Sequence, residues 1–226
     1  MLEEIREIAK SERYADLTIS CQGHVWNVHR LIVCPQVKFL EIAVRGGFKE
    51  ATESHVDFPE GEPRTIAMLL SWCYNQIRDW NWFARTPADK ARTLSDTGVF
   101  NLGPEDHFSL YMAADKYGVP ELEGQSWKYL MDWTETHYQD TSFVDMVEQF
   151  WRKAPPHDRL LRNRMAQTMA QHYEEFRAHE SGQAVLRDNQ QLALEVLEQL
   201  ANLYSELKAK EAERKNKYGY YSDDEY

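Results

Sequence analysis

Read by the spacing of its apolar positions, the chain opens on a helix: Leu2, Ile5, Ile8 and Ala9 recur at three- and four-residue intervals among Glu and Arg, which gathers them on one stripe. Such a stripe has to be covered by something. The period then changes. Leu17 to Cys21 is β-favouring, Gln22-Gly23 is a turn signal, and His24 to Val28 resumes a strand-like pattern, which together predict a hairpin. From His29 the pattern turns helical through Leu31, Ile32 and Val33. Pro35 is predicted to restart a second helix, where its missing N–H costs little, with Phe39, Leu40, Ala43 and Val44 apolar and Gly46-Gly47 as the stop. His55 to Phe58 is a short strand candidate, and Pro63 opens a helix carrying Ile66, Leu69, Leu70 and Cys73.

Between about 76 and 103 the periodicity fades into a mixture of Trp80, Trp82 and Phe83 with Thr, Asp, Pro and Gly, which predicts an inserted loop, partly packed through its aromatics. Pro104 then opens a helix with Leu110, Ala113, Ala114 and Tyr117, ended by Gly118. Pro120 opens another with Leu122, Trp127, Leu130 and Trp133, making a helical hairpin. Further helices are predicted at about Ser142–Arg152, Asp158–Ala178 and Gln183–Lys217. The last presents Ala193, Val196, Leu200, Leu203 and Leu207 at alternating three and four spacing. That is about two heptads, where a coiled coil usually needs three or four, so packing on its own domain is favoured over self-association. The domain organisation expected is a first domain over 1–135, a helical extension over 136–217, and an unfolded acidic tail over 218–226.

Composition narrows the function classes. The chain has 226 residues with 42% hydrophobic and 12% aromatic positions, enough apolar surface to fold. A formal net charge of −11 would repel phosphate backbones and argues against direct nucleic-acid binding. Three cysteines, Cys21, Cys34 and Cys73, match no metal or redox spacing and leave an odd count for disulfides, so an intracellular setting, cytoplasmic or nuclear, is expected. The charged N-terminus does not read as a leader, and no apolar run approaches the ~18 residues of a membrane span, so no membrane association is expected. The eight histidines are scattered without H-E-x-x-H or a Cys/His grid, and no G-x-S-x-G, phosphate-binding loop or dinucleotide fingerprint occurs. No catalytic residue, cofactor or metal is expected. The cations from Lys208 to Lys217 lie among Glu206, Glu211 and Glu213 and read as a solvated helix face before a nuclear signal. Ser222, followed by Asp223, Asp224 and Glu225, would suit an acidophilic kinase.

The run from Tyr14 through Asp16-Leu-Thr-Ile, Gln22-Gly23 and Trp26 to Val28-His29-Arg30 and Pro35 resembles the opening of BTB/POZ domains. The order continues with Phe39-Leu40, Gly47-Phe48-Lys49-Glu50, a helix near Ile66 to Tyr74, and Leu110 to Leu122 as the later helical hairpin. The resemblance covers about Leu2 to Trp133 and is nearest to fungal BTB-domain proteins. It implies an α+β, mostly helical fold, a short β-sheet flanked by a cluster of helices, and a protein-protein interaction function. Three departures stand out: Val37 where many members have Ser, Trp26 where Phe is usual, and the long segment after Tyr74.

The same resemblance implies the site residues. Leu2, Ile5 and Ile8 match a dimerising helix, and Asp16 and Arg30 match a charged pair near the dimer seam, which leads to a homodimer. For the helix, packing on its own chain is the competing reading; for the pair, a purely intrachain role is. A buried Asp and Arg would have to satisfy each other or a backbone group. Phe48-Lys49-Glu50 fits the hydrophobic-x-Glu pattern with which some BTB domains dock on a cullin scaffold of ubiquitin ligases, Phe48 as apolar anchor and Glu50 as polar contact. A loop aromatic tucked into the fold is the plainer alternative.

Overall fold

Leu17, Ile19 and Cys21 are buried while Thr18 and Ser20 between them are not, the alternation of a strand with one covered face. This strand, β1 (Leu17–Cys21), pairs antiparallel with β2 (His24–Val28) in the register Leu17 to Val28, Ile19 to Trp26 and Cys21 to His24. The two-residue turn places both Gln22 (φ 45°) and Gly23 (φ 85°) in the left-handed region, as a primed hairpin turn requires. On its other edge β1 takes β3 (His55–Asp57) in parallel, giving the order β2-β1-β3 with Ile19 and Val56 side by side and buried. The computed structural model describes residues 12–74, 102–154 and 158–218, with side chains as far as Asn216. The helix predicted over Leu2 to Ala9, the insertion apart from Leu102 and Gly103, and the tail from 219 onward lie outside the described residues.

The helices around this sheet follow the predicted punctuation with two exceptions. α1 (Arg30–Val33) is a single turn, and α2 runs over Lys38–Arg45. Pro35 does not start α2. It sits exposed in the turn between the helices, because Val37 adopts an extended conformation (φ −116°) that drops its side chain wholly into the core and delays the helix to Lys38. α3 (Lys49–Glu53) was not predicted: it buries nothing and so carries no apolar period, and Ser54 ends it at φ 53°. α4 (Pro63–Cys73) buries nearly every side chain from Thr65 onward, which makes it the central helix of this part of the fold. α5 (Pro104–Tyr117) and α6 (Pro120–His137) form the expected hairpin. Gly118 (φ 69°) makes that bend possible: its carbonyl accepts from the Lys38 N–H, and a Cβ there would lie 2.8 Å from that of Lys38.

The chain divides into two compact units, Met1–Leu130 and Met131–Tyr226. In the first, sheet, α4 and α5 share one core containing Ile19, Trp26, Leu40, Ile66, Leu69, Leu70 and Ala114. The second is helical: α7 (Thr141–Lys153), α8 (Arg159–Gln171), α9 (Tyr173–Ala178), α10 (Glu180–Asp188) and α11 (Gln190–Tyr218). Its interior is built from Phe143, Phe150, Leu161, Met165, Phe176, Leu192 and Val196. Two helices predicted as continuous are broken here. Asp158–Ala178 is interrupted at His172, whose ring stacks on Tyr138 at 3.5 Å, and Gln183–Lys217 is interrupted at Asn189, whose Nδ2 donates to the Val185 carbonyl. Gly182 lies against the Phe176 carbonyl, 2.2 Å from where a Cβ would stand, so α9 and α10 cross at a distance no other residue permits.

Candidate protein-interaction site

The start of α1 is fixed from three sides. His29 is buried, with Nε2 at 2.7 Å from the Arg13 carbonyl and its ring edge-on to Tyr74. Burial pushes the Tyr74 hydroxyl far above the usual phenol range, so it is a neutral hydrogen-bonding group. Next to it, Asp16 and Arg30 meet through backbone groups, one of the two ways expected for such a pair, but at the surface. Asp16 is exposed and Arg30 half-buried, and each bonds the other's main chain: the Arg30 N–H donates to Asp16 Oδ1 at 2.8 Å and Arg30 Nε to the Asp16 carbonyl at 3.1 Å. Arg30 Nη2 then donates to Ser54 Oγ at 2.7 Å, tying the entry to β1, the start of α1 and the turn before β3. Water reaches both charges, so the large desolvation cost of a buried pair does not arise.

Leu31, the neighbour of this latch, is 87% exposed, an apolar side chain standing clear of its own unit. Beside it opens a groove of about 580 Å³ lined by Arg30, Leu31, Cys34, Pro35, Val44 and the Glu41–Arg45 pair. The hydrogen bond from Lys38, then the charges of Lys38 and Arg45, hold the Glu41 carboxyl below its ordinary range. Burial raises the Cys34 thiol, which keeps it protonated.

A second apolar surface runs along α2 into α3. Phe39 and Ile42 are one turn apart and both partly open to solvent; Phe39 still leans on Phe58 and Tyr117 at ring distances of 5.3 and 5.6 Å. Phe48 is 56% exposed rather than tucked into the fold. It lies so close over Gly46 that a Cβ there would meet its ring at 2.3 Å. Glu50 follows in the first turn of α3, half-buried. Of the residues the sequence pointed to, Asp16 and Arg30 meet, Phe48 and Glu50 share the start of α3, and Leu2, Ile5 and Ile8 lie outside the described residues. Sequence reasoning missed Leu31 as a surface residue because a four-residue helix is too short for its period to separate the faces. It missed Ser54 because nothing marks a hydroxyl that closes a latch from 24 positions away.

Among the described residues no group of His, Cys, Asp and Glu is placed to hold a metal ion, and no helix is long and apolar enough to cross a membrane. In the first unit a three-stranded mixed sheet shares its core with a central buried helix, and a Gly-Pro-punctuated helical hairpin follows. The BTB/POZ domain family model matches residues 5–82, and the chain carries a BTB/POZ domain followed by a helical C-terminal region. No curated protein matches the chain.

Proposed function

We propose that the protein is an intracellular scaffold that pairs with itself through its BTB/POZ unit and presents a partner-binding surface in duplicate. The observation that carries this reading is Leu31, bare beside the Asp16–Arg30 latch and an open groove. Covering such a leucine is worth about 2 kcal/mol, and a two-fold interface covers it twice. The stripe of Leu2, Ile5 and Ile8 supplies the complementary apolar cover. Free thiols at Cys21, Cys34 and Cys73 accord with a reducing compartment. Light scattering after size exclusion tests the pairing on the full chain, on Leu31→Asp, and on Leu2→Asp/Ile5→Asp/Ile8→Asp. Twice the chain mass for the first and the chain mass for both variants, with unchanged circular dichroism, is expected. A monomeric wild type overturns the reading.

A second reading, an adaptor for a cullin-type ubiquitin ligase, is favoured by the exposure of Phe48 beside Ile42, with Glu50 two positions on. Phe48→Ala with Glu50→Ala should then abolish co-purification of a cullin while the fold is retained. Retained co-purification removes this reading.

A further inference from the structure

The two halves of α11 have different surroundings. Leu192 and Val196 are buried, and the helix packs chiefly along α8, but from Ala201 to Asn216 every side chain except Leu203 is exposed. At the pitch of an α-helix, Tyr204, Leu207, Lys208, Lys210, Arg214 and Lys215 fall within an arc of about 160°, with Glu211 as the acid among them and Glu206 and Glu213 outside it. Tyr204 and Leu207 are each 60% exposed, and Lys208 Nζ stands over the Tyr204 ring at 4.8 Å. Among the described residues, Lys208, Lys210, Arg214 and Lys215 make no ion pair. The second half of the helix therefore carries a basic strip with an apolar middle.

The residues that follow match this strip in charge, in character and in reach. Positions 219–226 read Gly-Tyr-Tyr-Ser-Asp-Asp-Glu-Tyr, acidic and aromatic with no cation. α11 ends at Tyr218, so Gly219 falls where glycine most readily turns a helix end back on itself. An extended chain advances about 3.3 Å per residue against about 1.5 Å of rise in a helix, so a chain doubling back there passes roughly two helix residues with each of its own. Ser222 then comes level with Glu211 to Glu213, Asp223 and Asp224 with Lys210 and Lys208, and Tyr226 with Tyr204. Successive side chains of an extended segment point to opposite sides, and Lys210 and Lys208 stand on opposite flanks of the strip. Tethering holds the segment over the strip at a high effective concentration, so contacts that are weak between separate molecules suffice.

We propose that residues 219–226 fold back along α11 of the same chain and occupy this strip, Asp223 and Asp224 on Lys210 and Lys208 and the Tyr226 ring against Tyr204 and Leu207. The contact is autoinhibitory: an acidic partner for the strip must first displace the chain's own segment. It is independent of whether the BTB/POZ unit dimerises. Full-length Glu211→Cys/Ser222→Cys and Glu213→Cys/Ser222→Cys, each with Cys34→Ser, are compared during oxidation by oxidised glutathione. Both variants lose one exposed acid from the helix, but position 211 lies on the strip and position 213 faces away from it. A segment that moves freely closes two loops of such similar length at similar rates. A docked segment joins position 211 several-fold faster, in a product of single-chain mass. Adding Asp223→Asn/Asp224→Asn should bring the two rates together, as should about 1 M salt, which screens charges beyond about 3 Å. Equal rates at 211 and 213 without salt overturn the proposal. So does a product of twice the chain mass, which puts the segment on a second copy.

Discussion

The Tyr74 hydroxyl and His29 are joined twice: the hydroxyl oxygen accepts from the His29 backbone N–H at 2.9 Å and lies 2.7 Å from His29 Nδ1. Because Nε2 faces a carbonyl, it carries the ring proton, which leaves Nδ1 as the acceptor of the tyrosine O–H. One hydroxyl thus satisfies a donor and an acceptor at the foot of α1. Tyr74→Phe keeps the ring and strands both, at a cost of about 1–3 kcal/mol. Urea denaturation should show a lower midpoint at unchanged slope.

The latch at Asp16 is worth less because water competes for it. Asp16→Ala removes the acceptor of the Arg30 N–H and should cost about 1 kcal/mol, while Asp16→Asn, which keeps an oxygen there, should cost less. Thermal melts of the two variants give the comparison. Equal losses would mean that the carboxylate's charge, rather than its hydrogen bond, is what matters.

Two glycines of the same hairpin should respond in opposite directions. Gly118→Ala forces a Cβ into the left-handed region and against Lys38, and should destabilise by about 1–2 kcal/mol. Gly124, within α6 and with nothing in Cβ reach, should gain up to about 1 kcal/mol on changing to Ala. Chemical denaturation of each variant checks the signs.

His107 sets a pH dependence. Its ring stacks on Tyr129 at 3.7 Å, and burial, partly opposed by Asp106, pushes its pKa down to about 4. In the unfolded chain the value returns to about 6.5, so between those limits the unfolded state binds more protons than the folded state. This contribution is complete above pH 6.5 and is lost as pH falls towards 4. Thermal midpoints measured from pH 7 to 4.5 should fall further for the wild type than for His107→Gln.

Gly46→Ala offers a test of the α2–α3 surface that leaves Phe48 itself unaltered. The new methyl occupies the place of the Phe48 ring edge and turns the ring away. Partner capture through Phe48 should fall while the melting temperature stays close to that of the wild type. Capture at the wild-type level would remove Phe48 as the anchor.

Much of this fold can be read from local chemistry. The hairpin is legible because Leu17, Ile19 and Cys21 alternate with polar residues and Gly23 permits the turn. Pro63, Pro104 and Pro120 mark three helix starts, and Gly118 marks a stop. The breaks at His172 and Asn189 leave no such sign, since neither is a strong helix breaker; His172 stacks on Tyr138, a tertiary contact, and Asn189 bonds back to the Val185 carbonyl. The site is less legible than the fold. Residue types named Asp16 and Arg30 as partners, yet exposure and the choice of main-chain over side-chain bonding depend on Ser54 and on where the strand begins.

Arg64 and Asp106 meet through two parallel bonds of 2.8 and 2.9 Å, and the same carboxylate takes the Gly103 N–H at 3.3 Å. Together with the packing of α4 on α5, they anchor both flanks of the stretch between Tyr74 and Leu102 to one core. The entropy of closing a flexible loop grows only with the logarithm of its length, about 0.6 kcal/mol for each doubling. With its two ends pinned independently, this position can accept segments of very different length at nearly constant stability, which makes it a natural place for lineages of this fold to diverge.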